Sequence, residues 1–277
     1  MRRLLKRERG NLFAIVPIAA AICLLCWCYV AVRPTHSWDD AEPEILNQAW
    51  RLSQGKQIYA SIETAPYIHT AYPPVYFGLV ALLLRQAGLS YLPAKFVSFL
   101  SMLAIGAAMA SMARFWNRDR FLGVWALCLL LLLPAFLYNS ARAHVQMLAV
   151  ALSLFSFVLF LRKDSLSLVG SAFLAVLAVY TKQTQVALPI AMMVFLARSD
   201  FKRLAIYAGT LLAAGLPPLL WLQWKAGGLF LAHTVTLNRL SYRVGDIPLV
   251  LMHWAGPIFV LIWLATSDCW RRIREGR

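Results

Sequence analysis

Negative charge is scarce in this chain: twelve Asp and Glu stand against twenty-seven Lys and Arg in 277 residues. None of the twelve falls within a run apolar enough to be a spanning core, and ion-coupled transport depends on intramembrane ionisable groups. Cysteine is also rare. Cys23, Cys26 and Cys28 share one apolar run, Cys128 lies in another, and Cys269 sits in a basic tail. With no His or acid close by, they make a poor zinc site, imply no disulfide framework and read as small packing residues. No small-residue cleavage site follows the first apolar run, so that run is not a signal peptide. Low-complexity tracts, convincing repeats and any stretch polar enough for a soluble domain are missing too.

What is present is apolar. Hydrophobic residues make up 61% of the chain and mean hydropathy is +0.65. A spanning helix needs about 20 mostly apolar residues, and Asn11–Val32 supplies them first. Further apolar segments follow at Tyr72–Leu84, Ala94–Ala113, Phe121–Leu137, Val145–Leu161, Leu166–Tyr180, Val186–Ala197, Leu204–Trp224 and Pro248–Thr266. The net charge of +15 is not a nucleic-acid signature, because the cations stand in short clusters between apolar runs. Lys and Arg collect on the cytoplasmic side. That rule fails repeatedly if every segment crosses. It holds if Tyr72–Leu84, which is short and contains Pro73-Pro74, dips into the interface and returns. The expected fold is therefore all-α and polytopic, with about eight transmembrane helices and both termini cytoplasmic. Residues 1–10 form a basic end, 11–32 the first span, 33–95 a long extracytoplasmic loop, 96–266 the remaining spans and 267–277 a basic tail, all in one transmembrane domain.

Four of the acids, Asp39, Asp40, Glu42 and Glu44, lie within six residues just beyond the first span. An acidic cluster at a membrane exit is costly near lipid and marks a candidate site. Asp40 or Glu42 caps an expected helix with Pro43 in its first turn. Ile45, Leu46, Ala49 and Leu52 recur at helical spacing, and Gly55 closes the end. This predicts an amphipathic helix lying on the membrane surface, followed by a Pro-Pro half-helix. The helix dipole keeps carboxylates at its start ionised, so they can act as bases.

The segments Ala49-Trp50-Arg51-Leu52-Ser53-Gln54-Gly55-Lys56-Gln57-Ile58-Tyr59, Ala65-Pro66-Tyr67 and Ala71-Tyr72-Pro73-Pro74-Val75-Tyr76 follow in order. Together with Leu177–Thr184 and Trp224–Tyr242, they resemble the membrane glycosyltransferases of the GT-C type. That group includes protein O-mannosyltransferases and the lipid A aminoarabinose transferase. The resemblance covers about Asn11 to Ala265. It implies a bacterial inner-membrane enzyme that moves a sugar from a polyprenyl-phosphate donor to a glycan, lipid or protein acceptor on the extracytoplasmic face, among membrane lipids and without nucleic acid. It makes Asp40, paired with Asp39, the catalytic carboxylate, with Glu42 as a rival. That acid either deprotonates the acceptor or organises it with a divalent metal; no cofactor is otherwise implied.

The departures define the remaining candidates. Tyr72 stands where relatives carry a basic residue before the Pro-Pro element, so the donor phosphate falls to Lys182, Arg142 or Lys56. The stretch Arg142-Ala143-His144-Val145-Gln146 lacks the acid of an Arg-x-Asp found in relatives, which leaves His144 as a base or metal ligand. His69 and Tyr72 flank the Pro-Pro turn as binding residues or interfacial anchors. Asn238 and Arg239, near Tyr242 and Arg243, suit sugar and phosphate contacts. Trp38 suits stacking on a sugar ring. The missing acid and the short C-terminus keep an inactive partner built on the same fold in view, and proline breaks at Pro134, Pro189 and Pro217-Pro218 keep a membrane transporter in view.

Overall fold

The computed structural model describes residues 17–26, 37, 40–63, 65, 67, 69–117, 120–162 and 164–238, with isolated residues at 245, 248 and 266. Among the described residues every regular element is helical. In chain order these are α1 (Pro17–Cys26), α2 (Ala41–Ser53), α3 (Pro74–Ala87), α4 (Leu92–Asn117), α5 (Arg120–Leu131) and α6 (Pro134–Ser140). Then come α7 (Gln146–Phe160), α8 (Ser165–Val179), a 3-10 turn at Gln183–Val186, α9 (Ala187–Ser199) and α10 (Phe201–Lys225). A short α11 (Leu229–Leu231) passes into a π-helical turn, Ala232–Thr236. The basic end 1–10, the tail 267–277 and nearly all of the last expected span lie outside the described residues. Among the described helices, α4 and α10 are long and apolar enough to cross a membrane, while α1, α3, α7 and α8 are shorter apolar helices.

The amphipathic helix forms where its pattern placed it. Asp40 occupies the N-cap position of α2, Pro43 sits in the first turn, and Gly55 takes φ +73° beyond its end. A positive φ suits a residue without Cβ. Its environment differs from the expectation, however. Ile45, Leu46 and Ala49 are buried in one core with Tyr76, Phe77, Val80 and Leu84 of α3, and Leu52 packs against the same cluster. The apolar face is thus covered by protein instead of lying on the membrane surface. The reason is α3 itself, which is lined with large apolar residues and needs a partner to bury them.

Pro74 opens α3 as its first helical residue, where a missing N–H costs nothing. The next amide, Val75, donates to the Tyr180 carbonyl at 3.1 Å, and the buried Tyr76 hydroxyl donates to the Ala94 carbonyl at 3.1 Å. These two bonds tie the half-helix to the end of α8 and to α4.

Two other proline sites diverge. The run Phe121–Leu137, expected as one helix, is divided into α5 and α6, with Pro134 starting the second piece. Pro cannot donate to the preceding turn and its ring crowds the carbonyl there, so the helix stops short of it. By contrast, α10 runs through Pro217-Pro218. In the turn before that pair, the Tyr180 hydroxyl donates to the Gly215 carbonyl at 2.6 Å.

Helix contacts in the body of the bundle rely on small residues. Ala149, Ala151, Ser153 and Ser156 of α7 are buried, as are Ser171, Ala172, Ala175 and Ala178 of α8. Small side chains let backbones approach closely where lipid supplies no hydrophobic drive. The Ser156 hydroxyl donates to the Ser171 carbonyl at 2.8 Å. Ser171→Leu should therefore force α7 and α8 apart at a cost of about 1–3 kcal/mol, read as a lower thermal unfolding midpoint in detergent. An unchanged midpoint would show that this contact contributes little.

Candidate functional site

The site is assembled on the loop between α6 and α7. Glu42, in the first turn of α2, is fully buried, and its Oε1 accepts a hydrogen bond from the Ala143 amide at 2.7 Å. From α4, the Ser98 hydroxyl donates to the Arg142 carbonyl at 2.5 Å and lies 3.3 Å from the His144 carbonyl. Lys95, buried on the same helix, also interacts with the Glu42 charge. Thus two elements distant in sequence hold Arg142, Ala143 and His144 in place. The Arg142 guanidinium lies 4.6 Å from the centre of the Tyr138 ring.

Beside that loop, four side chains converge. The His144 ring meets Tyr72 edge-on, with centroids 5.6 Å apart and Nε2 3.4 Å from the Tyr72 hydroxyl. Its Nδ1 accepts from the Gln146 amide at 3.2 Å, which leaves the ring proton of the neutral form on Nε2, pointing at Tyr72. The Lys182 ammonium donates to the Gln146 side-chain oxygen and lies 5.9 Å from the centre of the Tyr72 ring. Burial, then Arg142 and Lys182, hold the His144 pKa down to about 3. Burial likewise lowers the pKa of Lys182. Burial, then the charge of Glu44, raises that of the Tyr72 phenol.

An apolar groove of about 360 Å³ opens next to this cluster, lined by Pro73, Tyr180, Gln183, Met193, Phe230 and Val235 among others. Gln183 follows Lys182 directly. Its amide nitrogen donates to the carbonyls of Ala71 at 3.0 Å and Thr234 at 2.8 Å. Its Oε1 is buried without a partner, an unused acceptor that calls for an explanation.

The other expected residues fall elsewhere. Asp40 is exposed at the start of α2, and its side chain makes no capping bond. Glu42, the rival carboxylate, is spent on the Ala143 amide inside the protein. His69 and Asn238 belong to a backbone knot. His69 Nε2 lies 3.2 Å from the His233 carbonyl, and the Asn238 amide donates to Ala71, His233 and Thr234 carbonyls at 2.8, 3.0 and 3.1 Å. At its centre, buried His233 accepts from the Thr70 amide at 3.1 Å and contacts the Ala60 carbonyl at 2.8 Å. Lys56 lines a different cavity. Trp38, Asp39, Arg239, Tyr242 and Arg243 lie outside the described residues. Among the described residues, no group of three or more His, Cys, Asp or Glu stands where it could hold a metal ion.

Sequence reasoning missed Ser98, Gln183 and the centrality of His233. Ser98 is one hydroxyl in an apolar helix and carries no signal. Gln183 stood inside a quoted motif, one residue past the lysine that drew notice.

With this geometry in place, the fold is similar to that of two crystal structures of one protein, in line with the fold the sequence resemblance implied. It is similar to the crystal structure of ArnT from Cupriavidus metallidurans bound to undecaprenyl phosphate, with TM-score 0.66 and 17% identity over 91% of this chain and 51% of that one. The apo structure of the same protein gives TM-score 0.64 and 16% identity over 94% and 52%. The chain thus spans about half the length of the ArnT structures it matches. No family model and no curated protein matches the sequence.

Two outcomes test the site's construction. Glu42→Ala strands the Ala143 amide and should cost about 1–3 kcal/mol, read from thermal unfolding, whereas Glu42→Gln keeps an acceptor and should lose less. Because folding depresses the pKa of His144, its neutral form is the stabilising one. That contribution is complete above about pH 6.5 and is lost as pH falls toward 3. The His144 Cε1–H resonance should show no titration step between about pH 5 and 8; an ordinary step near 6.5 would contradict the buried, doubly engaged imidazole.

Proposed function

We propose that the chain is a membrane glycosyltransferase core that takes a sugar from a polyprenyl-phosphate donor and passes it to an acceptor at the extracytoplasmic face. One juxtaposition carries the reading. A lysine, Lys182, adjoins Gln183, which lines an apolar groove and keeps a buried amide oxygen without a partner. The groove suits an isoprenoid tail, and Lys182 suits the donor phosphate. The similarity to an ArnT structure bound to undecaprenyl phosphate supports the same assignment. We attach to it eight crossings, both termini cytoplasmic, and an inner-membrane location.

In this reading Asp40, with Asp39, takes the proton of an acceptor hydroxyl or amine. The acceptor atom forms a bond to the anomeric carbon as the bond from that carbon to the phosphate oxygen breaks. The departing polyprenyl phosphate keeps the electron pair, and Lys182 and Arg142 offset the charge it develops. His144 is not the base here. Its Nδ1 is committed to the Gln146 amide, so the ring orients Tyr72. Tyr72 then replaces a cation in the wall of the site, and Lys182 over its ring supplies the charge instead. Glu42 positions the loop that carries Arg142.

Purified protein in lipid, given a radiolabelled polyprenyl-phosphate sugar, should release the carrier. Asp40→Asn should lower turnover by about 10²–10⁴, and Lys182→Met by about 10²–10³, with both variants still folded in the membrane. Full activity in Asp40→Asn would remove that acid from the mechanism. Donor binding without turnover, with or without added divalent metal, would reduce the protein to a carrier-binding partner, and absence of both would overturn the reading.

A further inference from the structure

A second cavity, of about 420 Å³, shares no lining residue with the groove beside Lys182. Three cations reach it from three separate elements: Lys56 from the segment after α2, Arg85 from the end of α3 and Lys225 from the end of α10. Among the described residues, no carboxylate lines it. Lys225 lies 4.6 Å from the centre of the Trp221 ring.

The frame that carries these charges is held by specific bonds. Arg85 Nε donates to the Ser53 carbonyl and the Gln57 amide to the Lys225 carbonyl, each at 3.3 Å. The remaining wall is apolar, built in part by Trp221 and Leu222. Gly78 leaves it open, since a Cβ there would meet nothing within 4 Å.

Three like charges facing one cavity repel each other unless an anion sits among them. Arg and Lys here offer the fork and point charges that bind phosphate oxygens. The level of the cavity narrows the choice of anion. It lies at the end of α10 that carries Trp221 and Trp224, 52% and 79% exposed, and Trp marks the membrane interface. Leu216 and Leu220 of that helix are exposed just below, an apolar strip along which acyl chains can lie.

We propose that this cavity binds the phosphate headgroup of an anionic phospholipid, with its chains against α10, as a lipid site distinct from the donor groove. The assignment stands on the cavity alone and holds whether or not the chain is a transferase.

The test is native mass spectrometry of the purified chain titrated with phosphatidylglycerol or phosphatidylcholine of the same acyl composition. The first phosphatidylglycerol should bind at least about tenfold more tightly than phosphatidylcholine. Lys56→Gln with Lys225→Gln should erase that preference. Gly78→Leu should abolish the binding by filling the cavity while leaving every charge in place. Equal binding of the two lipids, or unchanged phosphatidylglycerol binding in both variants, overturns the proposal. An equal loss in Lys202→Gln, at the other end of α10, would overturn it in favour of diffuse surface charge. Inorganic phosphate binding as tightly as the lipid would overturn the lipid assignment.

Discussion

One buried carboxylate organises one end of this bundle. Glu42 has no exposure to solvent, and its acceptor oxygen holds the Ala143 amide in the turn between α6 and α7. A charge kept out of water is tolerated only where hydrogen bonds and cations compensate it, and here the compensation is the loop backbone together with Lys95. The arrangement is reciprocal. α2 is anchored by the loop, and the loop presents Arg142 and His144 because α2 is anchored.

The chemistry of the cluster follows from crowding cations and a ring into a half-dry space. Lys182 and Arg142 keep the His144 imidazole neutral, together with its burial. A neutral ring with one nitrogen committed to a backbone amide is a fixture more than a proton carrier. Lys182 meets the Tyr72 ring beside the groove that Gln183 helps to line.

The same logic explains why several polar residues near the cluster are engaged by backbone. His69, His233 and Asn238 satisfy backbone carbonyls of irregular segments at 60–71 and 232–238. Irregular backbone at the edge of a membrane protein needs partners for its carbonyl and amide groups, and these side chains supply them. Polar residues near a candidate site therefore divide into those that bind backbone and those left to bind something else.

Much of the fold was legible in the sequence because it depends on local properties. Apolar runs, Pro73-Pro74 opening a helix, and the 3.6-residue spacing of Ile45, Leu46, Ala49 and Leu52 are all intrinsic to short stretches of chain. The acidic cluster was legible as a place, and Tyr72, Arg142, His144 and Lys182 as candidates, from residue type and position along the chain. What tertiary structure alone decided was which acid goes inside, what the amphipathic face covers, and that Lys182 joins Tyr72 and Gln146 while Lys56 joins Arg85 and Lys225. Those outcomes depend on contacts between residues up to 168 positions apart. Burial and partner choice are properties of packed neighbours, and spacing along a chain does not encode them.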